Sequence, residues 1–157
     1  MRSRWTSLLK GRVVIVGIGH PLRGDDGLGP ALVGRLKDRV GAVCLDAGSA
    51  PENYAGAVIR EKPDTVLLVD AVHLDRPAGA WEVLEEDAIS RAGLSTHDLS
   101  PRMFIKYLRS RTRARIYLLG VQPQNLTFGE PVSESVLRTL EEIEGRLKEA
   151  LPCTSPT

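Results

Sequence analysis

Apolar and polar positions along this chain follow two rhythms. Residues 12–17 are a short, nearly continuous apolar run rich in Val and Ile, which reads as a buried strand. Across residues 27–39 the rhythm changes: Leu28, Ala31, Leu32 and Leu36 fall at helical spacing. Residues 42–46 read as a second strand, 52–60 as a helix, and "TVLLVD" (65–70) as a third buried strand. After the turn "DRPAG", residues 80–84 read as a fourth strand at a sheet edge. Residues 99–110 read as a helix, "RIYLLGV" (115–121) as a fifth strand, and 133–151 as a final amphipathic helix whose entry is marked by Pro131 and Ser133. The stretch 84–99 is the least regular and reads as a loop.

This order predicts an α/β fold of three layers, a mainly parallel, twisted five-stranded sheet with helices on both faces. A chain of 157 residues suits one domain with a real core. That domain spans 1–151, and "PCTSPT" (152–157) is a flexible tail. Lys and Arg number 21 and Asp and Glu 20, so a formal charge of +1 gives no electrostatic reason to expect nucleic acid or a membrane as partner. The apolar run 13–19 is too short to cross a bilayer, and the basic start "MRSRWTSLLKGR" leads into no signal-peptide pattern. A cytoplasmic protein is expected. Cys44 and Cys153 make neither metal-type spacing nor a disulfide framework.

The candidate chemistry begins in "VVIVGIGHPLRGDDGLGPALVGRL", residues 13–36. Gly17 and Gly19 match the start of a dinucleotide fingerprint, but its third glycine position is Leu22. Gly19 and Gly24 have P-loop spacing, yet Asp25 and Asp26 replace the lysine and the hydroxyl residue that a phosphate needs. A nucleotide-binding module therefore fails on charge as well as on pattern. A carboxylate here either caps the following helix or binds a cation or handles a proton.

In open parallel sheets, ligands sit beyond the carboxyl ends of the strands, where the first and third strands are commonly neighbours. The third strand ends in Asp70 and the second in Asp46. An aspartate closing a buried strand is costly unless it caps, pairs or binds something. The three histidines are His20 in the glycine turn, His73 after the third strand, and His97 in "STHDLS" before a helix. Exposed loop positions are the ordinary reading for His73 and His97. Two aspartates and a histidine from separate loops would also make a nitrogen and oxygen site for a borderline metal such as nickel or zinc. The residues alone leave both readings open. No G-x-S-x-G elbow is present, and Cys44 lies within a strand rather than at its tip, so a serine or cysteine nucleophile is not indicated.

Five blocks in order, "GIGHPLRGDDGLG", "LDAGSAPEN", "LLVDA", "STHDLS" and "LLGVQP", resemble the NiFe-hydrogenase maturation endopeptidases from about Val13 to the last helix. "GSAPEN" and "LGVQP" resemble the type serving the hydrogenase of formate hydrogenlyase-like complexes. The resemblance implies a protease that trims the C-terminal extension of a large-subunit precursor once nickel is inserted. It implies that Asp26, Asp70 and His97 form the catalytic, metal-contacting set. The nickel arrives with the substrate, the precursor is the partner, and no organic cofactor is tightly bound. A single-site enzyme docking a large folded partner need not oligomerise, so a monomer is expected. On this reading Asp25 caps the helix and leaves Asp26 for the metal, although the sequence alone allows the reverse.

His20 departs from the family, which usually has Asn there. It either adds a ligand or replaces the turn-forming amide. Asp46, His20 and His73 are secondary candidates. The alternative reading is a non-proteolytic nickel-binding chaperone using the same three ligands. The arginines of "RSRTRAR" read as a solvated helix-to-strand connection rather than a docking patch for acidic protein.

Overall fold

The computed structural model describes residues 4–91 and 101–153. Among these, β1 (Val13–Ile18) is buried at every position, as is β3 (Thr65–Ala71). Such continuous apolar runs suit strands covered on both faces. Their neighbours are β2 (Val43–Gly48), β4 (Trp81–Glu85) and β5 (Arg115–Val121), in the sheet order β2-β1-β3-β5-β4. All pairings are parallel except that of β4, which closes one edge antiparallel to β5.

The strand period of two splits the core into two layers. On one side Val13, Ile15, Leu67, Val69, Tyr117 and Leu119 pack against α1 (Arg4–Leu8), α2 (Leu28–Leu36) and α6 (Glu134–Ala150). On the other, Val14, Val16, Val66, Leu68, Ile116 and Leu118 meet α3 (Ala55–Arg60), α4 (Glu86–Arg91) and α5 (Pro101–Arg111). The three-layer α/β architecture is thus the expected one. On the first face, Arg35 of α2 reaches Glu144 of α6 at 3.1 Å, and Lys148 meets the same carboxylate at 2.6 Å. The Lys148 hydrogen bond, with help from Arg35, holds that carboxyl below its ordinary range despite partial burial.

Two elements depart from the expectations. Helix α1 was not indicated, because its single buried side chain, Trp5, gives no periodic stripe; Trp5 stacks on Trp81 with ring centroids 5.7 Å apart. Within the stretch expected to be irregular, residues 86–91 form α4, anchored through buried Ile89. Residues 92–100, and 154–157 of the expected tail, lie outside the described residues. No described helix is long and apolar enough to cross a membrane.

The start of α2 lies directly on the ends of β1 and β3. A methyl group at Gly29 would overlap the Ile18 carbonyl oxygen and come within 2.6 Å of the Val69 carbonyl oxygen. Replacing Gly29 with Ala is expected to destabilise the protein by about 1–3 kcal/mol through overpacking against backbone. This is measured as a lower urea midpoint, and an unchanged midpoint would contradict the close approach.

Candidate functional site

Beyond β1 the chain turns sharply and enters a short 3-10 turn, Gly24–Gly27, before α2. Gly19 permits this turn: its φ is +139°, and a Cβ there would collide with the Asp26 carbonyl oxygen. Asp26 is only 2% exposed, and its Oδ2 accepts the His20 N–H at 2.9 Å. The carboxylate is therefore fixed against the turn that precedes it.

Asp70 is 1% exposed, one residue from the end of β3, and its Oδ1 accepts the N–H of Ala71 at 2.8 Å. It continues the row of Val66 and Leu68, on the face covered by α3 and α5. Because β1 and β3 pair in parallel with Gly17 opposite Val69, Asp26 and Asp70 both stand at the carboxyl edge of adjacent central strands. Helix α5 runs back to the start of parallel β5, so its N-terminus lies at that same edge. His97 precedes α5 in sequence but lies outside the described residues.

The secondary candidates are resolved differently. His73 is exposed beyond the end of β3. Asp46 is also exposed, and its Oδ1 accepts the Gly48 N–H at 3.0 Å. The Gly48 carbonyl in turn accepts the Gly19 N–H at 2.8 Å, so Asp46 shapes the neighbouring turn. The His20 Nδ1 accepts the Leu22 N–H at 3.1 Å. An asparagine oxygen in an Asx turn makes the same two-residue contact, so the imidazole replaces the turn-forming amide. Its Nδ1 is occupied by that bond.

Asp25 does not cap α2, contrary to expectation. Gly27 is the N-cap of α2 and Arg23 that of the 3-10 turn, with no side-chain cap bond at either. Asp25 is instead fully buried and reaches across the fold to the loop between β5 and α6. Its Oδ2 accepts from the Gln124 N–H at 2.7 Å, the Asn125 N–H at 3.2 Å and the Ser133 hydroxyl at 2.8 Å. Its Oδ1 accepts the Ser133 N–H at 2.6 Å. Backbone bonds from Asp25 to Asn125, Gly24 to Glu130 and Gly129 to Leu22 extend the seam. Sequence reasoning missed Gln124, Asn125 and Ser133. The only hint was that one acid of the pair sufficed for a cap.

A surface cleft of about 410 Å³, lined by Lys10, Asp64, Arg113 and Arg115, opens at the opposite, amino edge of the central strands. It contains no buried carboxylate and is remote from the glycine turn. The arginines of "RSRTRAR" run from the last turn of α5 to the first residue of β5, the helix-to-strand connection expected. Arg109 pairs with Glu86, and Arg111 lies over the Tyr107 ring.

Residues 30–150 match the family model for hydrogenase maturation protease. The chain belongs to the hydrogenase maturation protease family. A Methanocaldococcus jannaschii protein named as a hydrogenase maturation protease is 32% identical over 154 residues, covering 87% of this chain and 90% of its own. The hydrogenase 3 maturation protease of Escherichia coli is 28% identical over 138 residues, covering 86% of this chain and 88% of its own. The crystal structure of a NiFe hydrogenase maturation protease from Thermococcus kodakarensis superposes with a TM-score of 0.87 at 32% identity, covering 96% of this chain and all of that one.

As a member of this protease family the protein is a peptidase, and Cys44 is poorly suited to be its nucleophile. Burial, then repulsion by Asp38, push the Cys44 thiol from 9.0 up to about 11, with Lys37 acting in the opposite sense. Cys153 is exposed. At pH 8, iodoacetamide is expected to label Cys153 rapidly and Cys44 only on unfolding. Rapid labelling of Cys44 in the folded protein would contradict its burial in β2. Because the folded pKa is the higher one, the stability Cys44 contributes is complete below about pH 9 and lost as pH rises through about 11.

Proposed function

We propose that this maturation protease makes a single cut that removes the C-terminal extension of a NiFe-hydrogenase large-subunit precursor after nickel has been inserted. Asp26, Asp70 and His97 engage the metal carried by the substrate. The observation that carries this reading is the pair of buried carboxylates, Asp26 and Asp70, at the carboxyl edge of neighbouring strands, where open parallel sheets place their ligands.

Two carboxylates and an imidazole make an oxygen and nitrogen donor set suited to a borderline divalent ion. Three donors leave a coordination shell incomplete, so the set engages an ion that thiolates of the precursor already hold. The metal polarises the scissile carbonyl or lowers the pKa of an attacking water. A carboxylate within reach of that water takes its proton as general base. The enzyme works as a monomer, since a single-cut protease docking a large folded partner needs no second copy.

The test is incubation of the pure protein with cognate precursor, nickel-loaded or nickel-free, following the loss of the C-terminal extension by mass spectrometry. Cleavage of the loaded form alone is the expected result. Equal cleavage of both forms would remove the metal from the reading. Binding of the loaded form without cleavage would make the protein a nickel-binding chaperone on a protease fold.

A further inference from the structure

Two large apolar side chains stand in solvent beside the glycine turn. Leu22 is 59% exposed and Phe128 is 68% exposed. They come from opposite ends of the sequence, yet the Gly129 N–H donates to the Leu22 carbonyl at 2.7 Å. The imidazole of His20 meets the Phe128 ring edge-on, with centroids 6.0 Å apart. Leu126, on the same loop, is partly buried against the core below.

The exposure is held in place rather than incidental. The loop carrying Phe128 is fastened to the turn by the four bonds to the Asp25 carboxylate and by the Gly24 to Glu130 backbone bond. The turn residue that touches Phe128, His20, also donates its backbone N–H to Asp26. Exposed apolar side chains on a rigid frame mark contact surfaces. This one is continuous with the proposed catalytic carboxylate.

We propose that Leu22 and Phe128, with the His20 ring between turn and loop, grip an apolar side chain of the precursor next to the bond that is cut. They act as specificity-determining residues. The proposal rests on the reading of Asp26 as part of the catalytic site, because that reading brings the substrate to this turn. The occupant is the precursor itself: a chain delivered to Asp26 must cross the neighbouring surface, and Leu22 and Phe128 offer that surface nothing but apolar contact.

The experiment measures steady-state processing of nickel-loaded precursor by the wild type, Phe128→Ala, Leu22→Ala and the double variant, with Phe128→Met as a conservative control. Asp26→Asn is run in parallel. The double variant is expected to raise KM about tenfold with kcat within twofold of wild type. Phe128→Met recovers most of the loss, and thermal midpoints stay unchanged because both side chains lie outside the core. A wild-type KM in the double variant overturns the grip, whatever Asp26→Asn does. Full processing by Asp26→Asn overturns the site reading, while the KM of the double variant still judges the patch. Size-exclusion chromatography supplies the remaining outcome. A concentration-dependent dimer that dissolves in the double variant assigns the patch to a second copy of this chain and overturns the proposal.

Discussion

Replacing Asp26 or Asp70 with Asn is expected to lower precursor processing by about 10²–10⁴-fold, the range typical of losing a positioned acid or base. Each amide is nearly isosteric with the carboxyl it replaces. It keeps an oxygen to accept the His20 N–H in one case and the Ala71 N–H in the other. What disappears is the negative charge, and with it the ability to hold a cation strongly or take a proton. The measurement is single-turnover cleavage of nickel-loaded precursor, alongside circular dichroism to show that each variant is folded. Full activity in both folded variants would refute a catalytic role for the pair. Loss in only one would assign the essential charge to that residue.

Asp25→Ala is expected to act through stability instead. The Asp25 carboxylate is fully buried and accepts four hydrogen bonds from Gln124, Asn125 and Ser133. Truncation leaves those donors facing a void, and breaking such a buried network costs about 3–5 kcal/mol. For a domain of this size, each kcal/mol lowers the melting temperature by about 2–4 °C, so a fall of roughly 6–20 °C is expected in calorimetry. Asp25→Asn is expected to fall between, because its NH₂ group confronts donors where oxygen stood. A loss below about 1 kcal/mol for Asp25→Ala would show that water or a local rearrangement satisfies the seam.

The contrast between these two adjacent aspartates shows where a sequence stops being readable. The strands were legible because Val13–Ile18 and Thr65–Ala71 are apolar runs bounded by polar residues, a pattern that local chemistry imposes. Asp70 was legible for the same reason, since a charged residue ending a buried strand stands out against its neighbours. The partners of Asp25 lie up to 108 positions away, and no local pattern announces a pairing across that separation. A helix cap was the nearest available explanation, and it was wrong because tertiary donors outcompeted the adjacent helix. His20 was legible by half. Its departure from asparagine was visible, but its turn-forming contact with the Leu22 N–H at 3.1 Å was not. Helix α1 left too short an apolar stripe to detect, and α4 fell inside a stretch with weak periodicity.

The Asp25–Ser133 bridge also sets an order of events during synthesis. The glycine turn leaves the ribosome early, but Ser133, at the threshold of α6, is among the last parts of the domain to emerge. Long-range contacts of this kind form late and slow folding. Until the final helix docks, the acidic turn lacks its anchor and the loop bearing Phe128 has nothing to close against. A nascent or C-terminally truncated chain therefore carries both aspartates without the frame that aims them.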